Sequence, residues 1–101
     1  MAKILIVDDD EKVTTLLARY LSSLGYQVTT INQSSKAVST AEQLRPDLFI
    51  LDIMMPELDG VETCRLLRTK KEFQEVPIAF LTARDEDFSQ ITALDVGGDD
   101  Y

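Results

Sequence analysis

Four short apolar runs, separated by helix-periodic stretches, narrow the possible folds of this chain more than any other feature. Lys3–Val7 (KILIV), Leu48–Leu51 (LFIL) and Ile78–Leu81 (IAFL, after Pro77) are the near-continuous runs that fill strands covered on both faces. Tyr26–Ile31 (YQVTTI) alternates and is rich in β-formers, so it reads as a strand with one more exposed face. Between the first two strands, Val13, Leu16, Leu17, Tyr20, Leu21 and Leu24 make one amphipathic stripe, with Gly25 where a helix C-cap belongs. Ser34 or Ser35 can cap a second helix carrying Ala37, Val38, Ala41 and Leu44, which Pro46 ends. A third helix carries Val61, Cys64 and Leu67 and runs out in Arg65, Arg68, Lys70 and Lys71, cations suited to a helix C-terminus. Asp85 opens a fourth, bearing Phe88, Ile91 and Leu94 and stopped by Gly97-Gly98. Tyr101 stands where a further strand is expected. The order βαβαβαβα predicts an α/β fold, a doubly wound parallel sheet with helices on both faces.

Length and charge remove other possibilities. A chain of 101 residues is one domain, residues 1–101. Its longest apolar runs fall far short of the roughly 20 residues of a membrane helix, and it enters a strand directly after Met1, which reads as no secretory leader. We therefore expect a cytoplasmic protein. Ten Lys and Arg against eighteen Asp and Glu give a net charge of −8, which argues against direct nucleic-acid contact. With no His, the chain has neither a Ser-His or Cys-His dyad nor a Cys/His zinc site, and its single Cys64 forms no internal disulfide. The chemistry must come from carboxylates and hydroxyls.

Ligands of such sheets bind beyond the carboxyl ends of the strands, and there the acids crowd. Asp8, Asp9, Asp10 and Glu11 follow the first apolar run; Asp52, Glu57 and Asp59 follow LFIL; Asp85, Glu86 and Asp87 follow IAFL. If the first and third strands are neighbours, Asp8, Asp9 and Asp52 converge, and like charges so placed raise each other's pKa or recruit a cation. An all-oxygen site suits Mg²⁺. Taken alone, Asp8–Asp10 also fit a helix N-cap and its solvated first turn, and Asp10 is expected to be that cap. Asp52 is a candidate nucleophile toward phosphorus, or simply a third metal ligand or a capping acid. Thr82 could offer its hydroxyl to a phosphoryl oxygen, or only finish a strand. Met54 and Met55 read as loop or core packing, Cys64 as a small buried hydrophobe, and Asp99 and Asp100 as solvated turn residues. Nucleotide-binding glycine fingerprints are absent.

Four stretches carry a family resemblance: Ile4–Asp10 (ILIVDDD), Asp47–Gly60 (DLFILDIMMPELDG), Pro77–Ala83 (PIAFLTA) and Ala93–Tyr101 (ALDVGGDDY). Together they resemble the receiver domain of bacterial two-component response regulators, over the whole chain. The resemblance implies a flavodoxin-like three-layer α/β/α fold with strand order 2-1-3-4-(5). It implies that Asp52 accepts a phosphoryl group from a sensor histidine kinase. Asp8, Asp9, Asp52 and the main-chain carbonyl of Met54 would serve Mg²⁺; Thr82 and Tyr101 would be the switch residues. The domain would control an effector outside this chain and would not be an enzyme in its own right.

Two features depart from the family pattern. Gly98 stands where the family usually has Ala, and the chain reaches Tyr101 without the Lys the family places three residues further on, the rest of a fifth strand, or the last helix. Lys12 and Arg84 are the basic residues on the acidic edge, and neither is at that position. We therefore expect a receiver domain cut short, its fourth strand left as an apolar edge through which two copies could pair or swap. The alternative is a phosphorylation-independent, receiver-like interaction module. A phosphohydrolase with an Asp nucleophile would place a second Asp at the position held by Met54.

Overall fold

The structure, a computed structural model, describes residues 2–53, 55, 59–81 and 91–92. β1 (Lys3–Val7), β2 (Gln27–Ile31), β3 (Leu48–Asp52) and β4 (Ile78–Leu81) form a parallel sheet in the order β2-β1-β3-β4. The connections are α1 (Glu11–Ser23), a 3₁₀ turn at Ser34–Lys36 leading into α2 (Ala37–Leu44), and α3 (Gly60–Arg68) with a 3₁₀ turn at Lys71–Phe73. Successive side chains of a strand point to opposite faces, and the core divides accordingly. Leu5, Val7, Phe49, Leu51, Ile78 and Phe80 pack under α2 and α3 with Ala41, Cys64, Leu67 and Phe73. Ile4, Ile6, Ile50, Ala79 and Leu81 pack on the other face against Val13, Leu17 and Leu21 of α1. The expected doubly wound α/β/α architecture is present, and no described helix is long and apolar enough to cross a membrane.

Helix ends follow local chemistry. The Asp10 side chain accepts from the Lys12 N–H (2.9 Å), so Asp10 is the expected N-cap of α1. At its other end the Gly25 N–H donates to the Ser22 carbonyl (3.0 Å) and the Tyr26 N–H to the Leu21 carbonyl (3.3 Å). That pair of bonds is a Schellman motif, and Gly25 supplies the positive φ of 100° it needs. α2 ends at Leu44, with Arg45 in the left-handed region (φ 56°) before Pro46, which disfavours a helical predecessor.

Three expectations change. Neither Ser34 nor Ser35 caps α2: a 3₁₀ turn intervenes, Lys36 stands at the N-cap, and no side chain bonds there. The apolar stripe of α1 is wider than its buried face, since Leu16, Tyr20 and Leu24 are exposed while Val13, Leu17 and Leu21 pack on the sheet. The third correction concerns the fourth helix. Ile91 and Thr92, expected on it, instead form a short strand β5 (Ile91–Thr92) running antiparallel to β4, with Thr92 beside Phe80 and Ile91 beside Leu81. An apolar strand edge offers unpaired N–H and C=O groups, and β-branched Ile and Thr suit an extended partner. The edge of β4 expected to be open is thus covered at Phe80 and Leu81. The remainder of the expected fourth helix lies outside the described residues.

Candidate metal centre

The register of β1 on β3 builds the site. Val7 stands opposite Leu51, so the next residue on each strand is an aspartate at the same height: Asp8 just past β1, Asp52 at the end of β3. Neighbouring strands run about 4.8 Å apart, which makes the approach of the two side chains a consequence of pairing. Asp9 follows in the turn to α1. One carboxylate oxygen from each of Asp8, Asp9 and Asp52 lies within 4.8 Å of the others. Asp8 is buried, Asp52 half-buried and Asp9 exposed, so the cluster opens to solvent on the Asp9 side.

Electrostatics mark the same place. The Asp8 carboxyl is pushed up from 3.8 to about 7, first by burial, with the charge of Asp52, a hydrogen bond that protonated Asp8 donates to Asp52, and the charge of Asp9 adding to it. The Asp10 N–H, donating to Asp8 Oδ1 at 2.9 Å, acts in the opposite direction. Three crowded oxygens with a strained charge balance fit a hard divalent cation. Two ligands of one Mg²⁺ at roughly 2.1 Å sit no more than about 4.2 Å apart, so small side-chain movements suffice to close this site.

Backbone contacts hold both ends of the cluster. The Asp8 N–H donates to the Ile31 carbonyl (3.2 Å), and the Asn32 side-chain amide donates to the Asp8 carbonyl (2.8 Å). On the β3 side, the Ile53 N–H donates to the Leu81 carbonyl (3.4 Å) and the Gly60 N–H to the Ile53 carbonyl (3.1 Å). Gly60 opens α3 directly beneath that turn. A Cβ there would collide with the Asp52 carbonyl oxygen and lie 2.9 Å from its carbon. The Asp59 side chain caps α3 by accepting from the Glu62 N–H (2.8 Å).

Of the residues singled out in the sequence, Asp8, Asp9 and Asp52 are brought together. Met54, Thr82, Tyr101, Arg84 and Gly98 lie outside the described residues. Met55 and Cys64 are buried packing residues, and Lys70 pairs with Glu42 on α2 (3.0 Å). Sequence reasoning passed over Asn32 and treated Gly60 as loop. Asn32 is the first residue after β2, so the rule that singled out Asp8 and Asp52 covers it as well.

The response regulator receiver domain family model matches residues 4–101. The chain belongs to this family. It is 46% identical over 99 residues to the alkaline phosphatase synthesis transcriptional regulatory protein PhoP of Bacillus subtilis, a match covering 98% of this chain and 40% of that protein. The chain thus spans about two fifths of the length of that relative. The BeF3-activated N-terminal receiver domain of Klebsiella pneumoniae RstA superposes with a TM-score of 0.74 at 38% identity, covering 86% of this chain and 72% of that one. A sensor histidine kinase receiver domain from Pseudomonas aeruginosa, solved with a magnesium ion coordinated in its active-site cleft, gives 0.77 at 37% identity, covering 82% and 68%. The protein is a receiver domain of the two-component signalling class.

Two predictions follow from this geometry. Because Asp8 binds its proton more tightly in the folded receiver than in the unfolded chain, the metal-free protein should lose stability as pH rises from about 4 to about 7, then level off. Asp8→Asn should remove that component and be the more stable protein at pH 8 in chelator, as read from urea midpoints; equal midpoints would contradict the cost of an ionised Asp8 at this buried, acidic place. Gly60→Ala should cost about 1–3 kcal/mol, the usual penalty of overpacking. If the better helix propensity of Ala won instead, the variant would gain stability.

Proposed function

We propose that this receiver domain accepts a phosphoryl group on Asp52 from the phosphohistidine of a sensor histidine kinase and thereby controls an effector. The observation that carries this reading is the convergence of Asp8, Asp9 and Asp52 at adjoining strand ends. An Asp52 carboxylate oxygen attacks phosphorus, the P–N bond to the donor imidazole breaks as the new P–O bond forms, and the imidazole nitrogen takes up a proton. Asp8, Asp9, Asp52 and the Met54 main-chain carbonyl would hold Mg²⁺, which supplies positive charge against the phosphoryl oxygens. Support for this metal comes from the magnesium in the Pseudomonas receiver cleft. Thr82 is assigned the hydroxyl that donates to the phosphoryl group, and Tyr101 the aromatic ring that moves with it.

In this reading residues 1–101 act as one cytoplasmic receiver domain, with no catalytic role beyond its own phosphorylation and dephosphorylation. The name of the Bacillus relative supports a transcriptional output, exerted by chain or partner outside these residues and not by nucleic-acid contact here. No observation favours the phosphorylation-independent alternative. Self-association through β4 remains part of the proposal, although Ile91–Thr92 must be displaced for a second copy to pair along Phe80 and Leu81.

Incubation with a small phosphodonor and Mg²⁺ should add one acid-labile phosphoryl group to the wild type and none to Asp52→Asn, by intact-mass measurement. Labelling of the variant at an equal rate would overturn the assignment. For the self-association, sedimentation at high micromolar concentration should show a dimer, and a monomer there would rule it out.

A further inference from the structure

The acidic centre is braced from outside by a side-chain pair that its chemistry does not use. Asn32, immediately after β2, directs its amide nitrogen at two acceptors: the Asp8 main-chain carbonyl (2.8 Å) and Thr14 Oγ1 (3.1 Å). Thr14 lies on α1 and is only 2% exposed, and its hydroxyl donates to the Glu11 carbonyl (3.1 Å). With that proton committed, the Thr14 oxygen is left as an acceptor. Both neighbours of the Asn32 nitrogen are therefore acceptors, which sets the amide orientation and uses both of its hydrogens.

The consequence falls on Asp9. Its Cα joins two peptide planes, one carrying the Asp8 carbonyl and the other the Asp10 N–H. The first plane is held by Asn32 and the second by the Asp8 carboxylate (2.9 Å to the Asp10 N–H). With both planes held, the φ and ψ of Asp9 are set, and with them the direction in which its exposed carboxylate leaves the backbone. The Asp8 N–H bond to the Ile31 carbonyl ties the residue before this peptide to β2, and the Asn32 bond extends that tie to the Asp8-Asp9 peptide itself.

We propose that Asn32, oriented by Thr14, is a positioning residue for the cation site, holding the Asp8-Asp9 peptide so that the Asp9 carboxylate meets those of Asp8 and Asp52. The assignment rests on reading these three aspartates as the metal ligands. Outer hydrogen-bonding partners of ligands typically control metal affinity by 10–100-fold.

The test measures Mg²⁺ dissociation constants and, separately, amide hydrogen exchange in chelator, for the full chain and its Asn32→Ala, Thr14→Val and Thr14→Ser variants. Asn32→Ala and Thr14→Val should weaken Mg²⁺ binding about tenfold or more, and Thr14→Ser, which keeps the hydroxyl, should restore most of it. In metal-free protein, Asn32→Ala should speed exchange at the Asp10 amide by about tenfold relative to the amides of β1. A general loss of stability with an unchanged Mg²⁺ constant would overturn the proposal. If the wild type bound no Mg²⁺ at all, the site reading would fall, and the Asp10 exchange rate would still decide whether Asn32 holds this turn; an unchanged rate would sink the positioning role on its own.

Discussion

The close approach of Asp8, Asp9 and Asp52, three acids at adjoining strand ends, is the constraint on which the site depends. No side chain chooses that arrangement. It follows from pairing β1 with β3 in a register that sets Val7 beside Leu51, and the register follows from burying Leu5, Val7, Phe49 and Leu51 on one face and Ile4, Ile6 and Ile50 on the other. A slip of one residue would turn every one of these side chains to the wrong face. The hydrophobic core thus holds three carboxylates closer than they would choose in water. The cost appears in Asp8, whose carboxyl is raised to about 7 by its burial first and by the charges of Asp52 and Asp9 after it. A bound cation turns that cost into affinity, because the same oxygens that repel one another attract a divalent ion.

A site that works against its own charge needs a stiff frame, and the surrounding contacts supply one. On the β1 side the turn is tied to β2 through Ile31 and Asn32 and to α1 through Asp10 and Thr14. On the β3 side, Gly60 lets α3 approach the Asp52 carbonyl more closely than any residue with a Cβ could. Main-chain and buried polar groups do this work, while Asp9 stays exposed at the mouth. That division suits the proposed role, in which the centre would admit a phosphodonor while its carboxylates stay in place.

Much of this was legible in the sequence because the strands are so apolar. Lys3–Val7 and Ile78–Leu81 begin and end where the apolar runs do, and the acids that close Lys3–Val7 and Leu48–Leu51, namely Asp8, Asp9 and Asp52, are the ones that cluster. The α1 stripe was legible in position but not in width: a helix shows periodicity whether or not a neighbour covers its flank, so Leu16 and Tyr20, 58% and 62% exposed, could not be told from Leu17 and Leu21. The Ser34–Ser35 cap failed because two serines in sequence fit a 3₁₀ turn as well as an N-cap. Ile91 fits a helical stripe, and only the open edge of β4 explains its pairing there. Asn32 carries no charge and sits in no motif, and its role depends on Thr14 and Asp8, which are near it only after folding.

The most direct test of the central claim follows the side-chain carboxyl carbons of Asp8 and Asp52 by NMR as pH is varied, without and with saturating Mg²⁺. Without the ion, the Asp8 signal should titrate near pH 7. With it, the midpoint should fall by at least one unit, as the cation replaces the proton between the carboxylates. An Asp8 midpoint near 4 in metal-free protein, unmoved by Mg²⁺, would contradict the account.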